Sequence, residues 1–550
     1  MVENRQISGG AVLVGQAGKT QKRHSNRLLV SAETSRAIDE EAQAAWGFNA
    51  FALVEAAGRL CAQVFTSAFP AIRENRLRIT VAAGTGNNAA DSMVMLRHWI
   101  LGGLVSASSS AVVISRLPES GDSSPHAELL KSLRKMKVPL LVWDGDIGEA
   151  AGRAADDIFA HSDIILDGIA GTGIKGALQG TAAEMAKAVN SHRKPLVVSI
   201  DIPSGLSDHW EPEMPIVKAA FTLAIEPRKL CLYTPAARPY AGTILPVGGI
   251  FPHEIITRCK GAELLDWENA RSRLSTIRPD VYKNQRGTVE IRGGSPGTTG
   301  AALIAARGAQ AAGAGLIRLV ADDAIYPILA SQAGGIMVSP AGKQDSAGFH
   351  ADAILLGPGW GKAENRKPVL ERALEREKNG TPLILDADAI DLARSKVFSG
   401  NVILTPHPGE FSKFSGLQKE KTLLRPASIL LDFARKRKAV IVFKGHVITI
   451  AAPDGRLGVV DGMNAALAAG GSGDLLAGFC AAIAARMVQE GRAFDGYTCA
   501  AAAATLLVES AGGAETAPRF TDPLELADMA ANLAGQAWLN RPYTGAQEFL

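Results

Sequence analysis

Along this chain, short apolar runs alternate with longer stretches of helical character. In the first half the runs fall at Leu77–Ala82, Ala111–Ser115, Leu140–Val142, Ile164–Asp167, Leu196–Ile200 and Phe221–Ile225. The second half repeats the style at Thr288–Ile291, Leu316–Val320, Ala353–Leu356, Leu383–Leu385, Val402–Leu404 and Val440–Phe443. Runs this short and this apolar read as strands. Strands alternating with helices predict a mostly parallel sheet with helices on both faces, the α/β class. Between the halves, Cys259–Gln285 is polar and charged and contains Pro279. It separates two expected domains, 28–262 and 263–550. No short solenoid-type repeat is visible. In open α/β sheets ligands bind beyond the carboxyl ends of the strands, so the loops after these runs are where chemistry is expected.

Length and composition agree with that division. A chain of 550 residues is too long for one hydrophobic core. Apolar residues make up 47% and charged residues 21%, an ordinary globular balance. Abundant Ala and Gly suit tight packing of helices on sheets. The net charge of +3 is not a nucleic-acid footprint, and no Lys/Arg run is dense enough to make one. Five scattered cysteines, with no Cys-x-x-Cys pair, argue against a zinc or disulfide framework. They fit a reducing compartment, so a cytoplasmic protein is expected. No stretch reaches the roughly 18–20 apolar residues of a membrane span; the run Phe479–Met487 is too short. Residues 1–27 hold no signal-peptide core. Gly18-Lys19-Thr20 resembles the end of a phosphate-binding loop, but Leu13 stands where that motif needs glycine. This segment reads as a disordered extension.

The most informative stretch is Ala468-Ala469-Gly470-Gly471-Ser472-Gly473-Asp474-Leu475-Leu476. It sets a glycine cluster and one carboxylate at the start of an apolar helical segment. A helix start offers free N–H groups and a positive dipole end, where phosphate binds well. The carboxylate of Asp474 can take a proton from an attacking hydroxyl. Together they point to phosphoryl transfer involving a small molecule. The plainer alternative is a glycine-rich loop with Asp474 as a helix cap.

Three strand ends of the first half also carry glycines and polar groups. They are Gly84-Thr85-Gly86-Asn87-Asn88-Ala89-Ala90-Asp91, Gly171-Thr172-Gly173-Ile174-Lys175-Gly176, and Asp201-Ile202-Pro203-Ser204-Gly205-Leu206. Glycine lets a backbone approach a ligand closely. The Asn, Asp and Ser oxygens could hold a hard monovalent cation. Both glycine runs resemble a dinucleotide fingerprint, which also needs an acidic residue about 20 positions on. After Gly171 that region reads Ser191-His192-Arg193-Lys194, which disfavours a hydride-transferring dehydrogenase.

Taken in order, Gly-x-Gly-Asn-Asn-x-x-Asp, Asp-x-x-x-Gly-Thr-Gly and Asp-Ile-Pro-Ser-Gly-Leu resemble the NAD(P)H-hydrate epimerase domain. Thr34–Asp39 and Val54–Gly58 resemble that family's opening. The resemblance implies a Rossmann-like three-layer αβα sandwich. It further implies potassium held by Asn88, Asp167 and Ser204, and a substrate lined by Asn87, Asn88, Asp91, Gly171, Thr172, Gly173 and Ala177. Asp201 would be the acid/base group. One departure stands out: Ala89, Ala90 and Ser92 occupy positions that are usually glycine. If either alanine needed a positive φ, the loop would be strained.

The second half carries Lys283–Gly287, Gly293–Ala302, Gly313–Leu316, Leu356–Gly361, Leu385–Ala389, Thr405-Pro406-His407-Pro408-Gly409-Glu410 and Phe443–His446. Ending in the Gly-Gly-Ser-Gly-Asp loop, this series resembles the ADP-dependent NAD(P)H-hydrate dehydratase domain, a ribokinase-like α/β fold. The resemblance implies that Ala301, Gly359, His407 and Asp474 meet the hydrate. Lys444, Gly445, His446, Val447, Ile448 and Gly473 would meet the adenine nucleotide. Asp474 would be the base, ADP the phosphoryl donor, and Mg²⁺ would ride on the phosphates. The implied partners are small molecules, hydrated NADH or NADPH and ADP, with no nucleic acid and no membrane; a homo-oligomer is expected. Structural alternatives stay open for His407 (an incidental residue of a rigid loop), Lys444 (a solvated strand-end charge) and Asp386 with Asp388 (helix caps). Arg435–Lys438 reads as an exposed helix face. The rival to a bifunctional repair enzyme is a ribokinase-like kinase of a vitamin precursor with a non-catalytic N-terminal binding domain.

Overall fold

The computed structural model describes residues 27–74, 76–143, 149–274, 276–342, 349–363, 365–514, 517–519 and 521–539. The expected extension lies outside them except for Arg27, which pairs with Asp266 at 2.6 Å. Two sheets organise the chain. The first has seven parallel strands, in the order Leu140–Val142, Ser110–Ile114, Ile79–Ala83, Ile164–Gly168, Leu196–Ile200, Phe221–Ile225 and Thr243–Val247. Strand order reverses between Ile79–Ala83 and Ile164–Gly168, the switch point where such sheets open a crevice. Helices cover both faces, and the two strands at the switch point are wholly buried.

The second sheet has twelve strands. Seven run parallel: Met337–Pro340, Leu316–Ala321, Thr288–Arg292, Ala353–Leu356, Leu383–Leu385, Val402–Leu404 and Val440–Phe443. Its switch point lies between Thr288–Arg292 and Ala353–Leu356. An antiparallel pair, Val447–Ala451 and Leu457–Asp461, continues it. The sheet then takes in three short strands, Ala262–Leu264, Leu28–Val30 and Arg228–Lys229. Two of them come from deep in the first half, so the halves share backbone hydrogen bonds as well as side-chain contacts. Arg238 pairs with Asp461 at 2.8 Å, with the arginine 1% exposed. His446 Nε2–H donates to the Pro235 carbonyl at 2.8 Å.

Small residues set the packing in the second half. The helices Thr299–Ala311 and Ser472–Gln489 touch along most of their length. A Cβ on Gly478 would fall 2.1 Å from the Ala305 carbonyl oxygen, so only glycine allows this approach. The two alanines flagged in the first half sit in an ordinary helix, Asn87–Leu101, and are fully buried. Neither has a positive φ. The strain feared there does not arise: the loop has already become helix, where alanine is the better residue. Ser92 Oγ donates to the Ala89 carbonyl at 2.7 Å and fits against Gly168. Among the described residues, no helix is long and apolar enough to cross a membrane.

Candidate active sites

The switch point of the first sheet opens into a cavity of about 550 Å³. Its wall includes Asn87, Asn88, Asp91, Gly171, Thr172, Gly173 and Asp201, which sequence placed apart by over 100 positions. Ala177 is the exception: it lies beyond the lining, because the chain turns away after Ile174. Gly84 shapes the floor, since a Cβ there would meet the Ile169 carbonyl oxygen at 1.9 Å. Beneath the wall, Asp167 is fully buried. Its oxygens accept from Ser199 Oγ at 2.7 Å, Ser204 N–H at 2.9 Å and Ser204 Oγ at 2.5 Å. Ser204 Oγ also accepts from Ala170 N–H at 2.8 Å, and Asn88 Nδ2 donates to the Ala170 carbonyl at 3.3 Å. Asn88 and Ser204 thus both reach the Ala170 carbonyl, and Ser204 links it to Asp167. The partners of Asp167 are all neutral, and burial pushes its pKa up. A buried carboxylate with only neutral partners in an oxygen-rich nest fits a hard monovalent cation.

Asp201 follows strand Leu196–Ile200 directly and has φ 65°. Its Oδ1 accepts from Lys229 Nζ at 2.6 Å. Sequence reasoning missed Lys229: Glu226-Pro227-Arg228-Lys229 follows a strand but lacks the glycines that marked the other loops.

The second site gathers at the carboxyl ends of the second sheet. The helix Ser472–Gln489 starts after Gly471, whose φ of 101° favours glycine, and no side chain caps it. The N–H groups of Gly473 and Asp474 are therefore available, with Asp474 in the first turn. Lys444, one residue past strand Val440–Phe443, reaches across to this start: a Cβ on Gly473 would lie 3.1 Å from Nζ. Lys444 Nζ also donates to Asp386 Oδ1 at 2.7 Å, and Thr405 Oγ1 donates to the same oxygen at 2.6 Å. Asp386 is 2% exposed, so neither it nor Lys444 is a solvated strand-end charge or a cap. The turn that presents Asp386 is strained, with Ala387 at φ 46°.

This network sets the charge of Asp474. Burial, then the negative charge of Asp386, raises its pKa from 3.8 to about 7, with Lys444 opposing. Burial also raises Glu410, with Lys444 pulling the other way. Lys444 is held above its ordinary range: burial works against its charge, but Asp386 and Glu410 outweigh it.

The other expected residues divide. Gly359, at φ 58°, packs against Ala301: a Cβ would sit 3.0 Å from that methyl. His407 caps the helix Pro408–Ser415, its Nδ1 accepting from Gly409 N–H at 3.0 Å, while its side chain is largely exposed and Nε2 lies 3.5 Å from Glu410 Oε1. It is therefore a cap and also available to a ligand. Gly445 follows Lys444 in the turn, and Val447 and Ile448 are buried in the next strand, so only their backbone could serve a nucleotide. His446 is committed to Pro235 of the first half. Asp388 accepts from Gly361 N–H at 2.9 Å. Arg435–Lys438 is an exposed helix end, apart from Arg437 stacked over Phe414 at 5.1 Å. Among the described residues, no group of three or more His, Cys, Asp or Glu is placed to hold a metal ion.

Fold and sites together define a two-domain α/β enzyme, each half built on a sheet with a parallel core. A family model described as NAD(P)H-hydrate dehydratase matches residues 289–530. One described as YjeF-related protein N-terminus matches residues 50–231. A bifunctional NAD(P)H-hydrate repair enzyme of Moorella thermoacetica is 30% identical over 486 residues, covering 84% of this chain and 89% of its own length. One of Salinibacter ruber is 28% identical over 547 residues, covering 92% of this chain and 96% of its own. The chain belongs to the family of bifunctional NAD(P)H-hydrate repair enzymes. Among solved structures, the ADP/ATP-dependent NAD(P)H-hydrate dehydratase of Bacillus subtilis, co-crystallised with ATP and Mg²⁺, is 27% identical. It aligns with 50% of this chain and 99% of its own length, at a TM-score of 0.43.

Proposed function

We propose that the first half interconverts the R and S hydrates of NADH and NADPH, and that the second half dehydrates the S form with ADP as phosphoryl donor. The observation that carries the second half is Asp474: a carboxylate with its pKa near 7, in the first turn of an uncapped helix and beside Lys444. A hydrate's hydroxyl is a poor leaving group. Asp474 takes its proton as it attacks the terminal phosphorus of ADP; the P–O bond to AMP breaks and AMP leaves, while the helix N–H groups of Gly473 and Asp474 offset the charge on the transferred group. Loss of phosphate from one ring carbon and of a proton from its neighbour then restores the nicotinamide double bond. A base near the working pH is ionised often enough to act and basic enough to help. Lys444 offers a cation to the nucleotide's phosphates, and the exposed His407 ring, with Glu410 beside its Nε2, faces the hydrate. The carboxylates here are already spoken for by Lys444, Thr405 and the His407 N–H. Mg²⁺ would therefore enter on the phosphates, not in a protein cage.

In the first half, Asp201 exchanges the proton of the hydrate's hydroxyl, and Asn87, Asn88, Gly171, Thr172 and Gly173 line the substrate. Asn88, Asp167 and Ser204 would hold potassium, which would offset the buried charge of Asp167 and fix the Ala170 loop. The separation of the two sites gives the test. Asp474→Ala should abolish nucleotide-dependent dehydration and leave epimerisation intact, and Asp201→Ala should do the reverse. Normal dehydration in the first variant, or normal epimerisation in the second, would remove that residue from its role.

A further inference from the structure

The cavity of the first half holds more charge than the roles above use. Asp201 stands in the left-handed region, which non-glycine residues occupy at a cost. That turn brings its Oδ1 to Lys229 Nζ at 2.6 Å and to Ile225 N–H at 3.2 Å. The ammonium makes a second bond, to the Ile225 carbonyl at 3.1 Å. Lys229 is 2% exposed, and its backbone is the last strand of the twelve-stranded sheet. Its register against Val30 fixes where the ammonium stands. Oδ1 is thus filled by two donors, and no hydrogen bond among the described residues occupies Oδ2.

Asp91 lines the same cavity from the helix Asn87–Leu101 and is 7% exposed. Its Oδ1 is buried with no hydrogen-bond partner. An ionised oxygen in that position is costly; a protonated one is not. Burial, then the charges of Asp201 and Asp39, push its pKa well up, against Lys229. Two carboxylates share one cavity, one paired with an ammonium and the other with an orphaned oxygen. Opposite surroundings of this kind let one site hold a base and an acid at the same pH.

We propose that Lys229 is a positioning residue that holds Asp201 as the ionised base, and that Asp91, in its protonated form, is the acid that works with it. This rests on the reading of the cavity as an epimerisation site. Asp201 takes the hydroxyl proton of the hydrated carbon. The O–H electron pair forms a carbonyl, the bond from that carbon to the ring nitrogen breaks, and its pair goes to the nitrogen. Asp91 delivers a proton there. The freed carbonyl turns its other face to the nitrogen, and reversal of both transfers closes the ring with inverted configuration. Nothing is oxidised or reduced, and both carboxyl groups end as they began.

Other titratable groups surround the pair. Asp39 and Glu40 come from the helix Ala32–Trp46, and burial raises Asp39. Cys61, from the helix Ala50–Ala68, and Cys231, near Asp208, have thiols pushed up by burial and remain neutral. Glu226 is committed to the N–H groups of Gly249 and Ile250 at 2.6 and 2.7 Å.

The test uses the full chain and Lys229→Met, Lys229→Arg and Asp91→Asn variants. Conversion of R hydrate is followed through dehydration by the second half, from pH 5 to 9, less the uncatalysed rate. Wild type should give a rate that falls toward both ends of this range. Lys229→Met should move the acid limb upward by about 1 pH unit or more, while Lys229→Arg leaves it in place. Asp91→Asn should cost at least about 100-fold and flatten the alkaline limb. A Lys229→Met variant that is slower with an unmoved acid limb makes Lys229 merely structural, and an Asp91→Asn variant at wild-type rate removes the acid; either overturns the proposal. Should Lys229→Met fail to turn over S hydrate, the chain has lost its fold, and Asp91→Asn and Lys229→Arg decide. Wild type without any epimerisation would instead overturn the reading of the cavity.

Discussion

Asp474→Asn should make the second half inactive and more stable at once. In the folded chain the Asp474 carboxyl titrates at about 7 instead of 3.8, so folding disfavours its ionised form. Across that gap the preference is roughly 4 kcal/mol. Asp474 is partly exposed, and solvent screening brings this to about 2 kcal/mol. The sign follows from the direction. A raised carboxyl costs nothing below pH 3.8, costs more as pH rises, and costs its full amount above about 7. Asparagine keeps the shape and removes the charge. The variant should therefore gain about 2 kcal/mol at pH 8 and under about 1 kcal/mol at pH 5. For a domain of this size that is about 4–8 °C in Tm at pH 8 and about 2 °C at pH 5. Thermal melts of wild type and variant at both pH values, read on the transition of the second half, give the difference directly. A variant that melts lower, or a gain that is the same at both pH values, would refute the argument that burial and Asp386 hold this carboxyl high.

The same network predicts opposite movements of the dehydration rate. With Asp474 in its proposed role as base, its ionised form would be the active one, and wild-type kcat should fall about tenfold per pH unit below about 7. Lys444→Met removes the opposing cation and should move that limb to higher pH; Asp386→Asn removes a repelling charge and should move it lower. Limbs that move together, or not at all, would dissolve the coupling. Changing Ala89 and Ala90 to glycine should bring no gain in epimerisation and should destabilise the chain by about 1 kcal/mol per site, measured by chemical denaturation; a faster variant would show that the helix start is misbuilt. Arg238→Met leaves Asp461 without its buried partner, and a loss of about 3–5 kcal/mol in the same assay is expected, against no loss if the junction of the halves contributes nothing.

Most of the strands that sequence foretold with matching bounds are buried on both faces; Leu140–Val142, a half-buried edge strand, was foretold as well. Leu196–Ile200, Phe221–Ile225, Ala353–Leu356, Leu383–Leu385, Val402–Leu404 and Val440–Phe443 begin and end where their apolar runs do. Arg228–Lys229 and Ala262–Leu264 are short and carry charged residues, so no apolar run marks them, and they are among the strands that join the two halves. Thr243–Val247 is half-exposed and contains Pro246, which hides an edge strand. Among site residues, glycine loops at strand ends were legible because close approach demands a residue type. Lys229 was not, because an Arg-Lys pair looks like solvent-facing charge until tertiary structure buries it. Asp386 was ambiguous for the same reason: only the arrival of Lys444, 58 positions later, separates a network from a cap. Ala89 and Ala90 misled because a loop was assumed where the helix has already begun.

The central claim is that this chain carries two working sites that share a substrate. A mixture of R and S hydrates, with ADP or ATP, Mg²⁺ and K⁺, is followed at the reduced-nicotinamide absorbance band, faster than the hydrates epimerise unaided. Two working halves predict recovery of both epimers, with the preferred nucleotide identified in the same experiment. Recovery of the S portion alone would contradict the role given to the first half, and no recovery with either nucleotide would contradict the account as a whole.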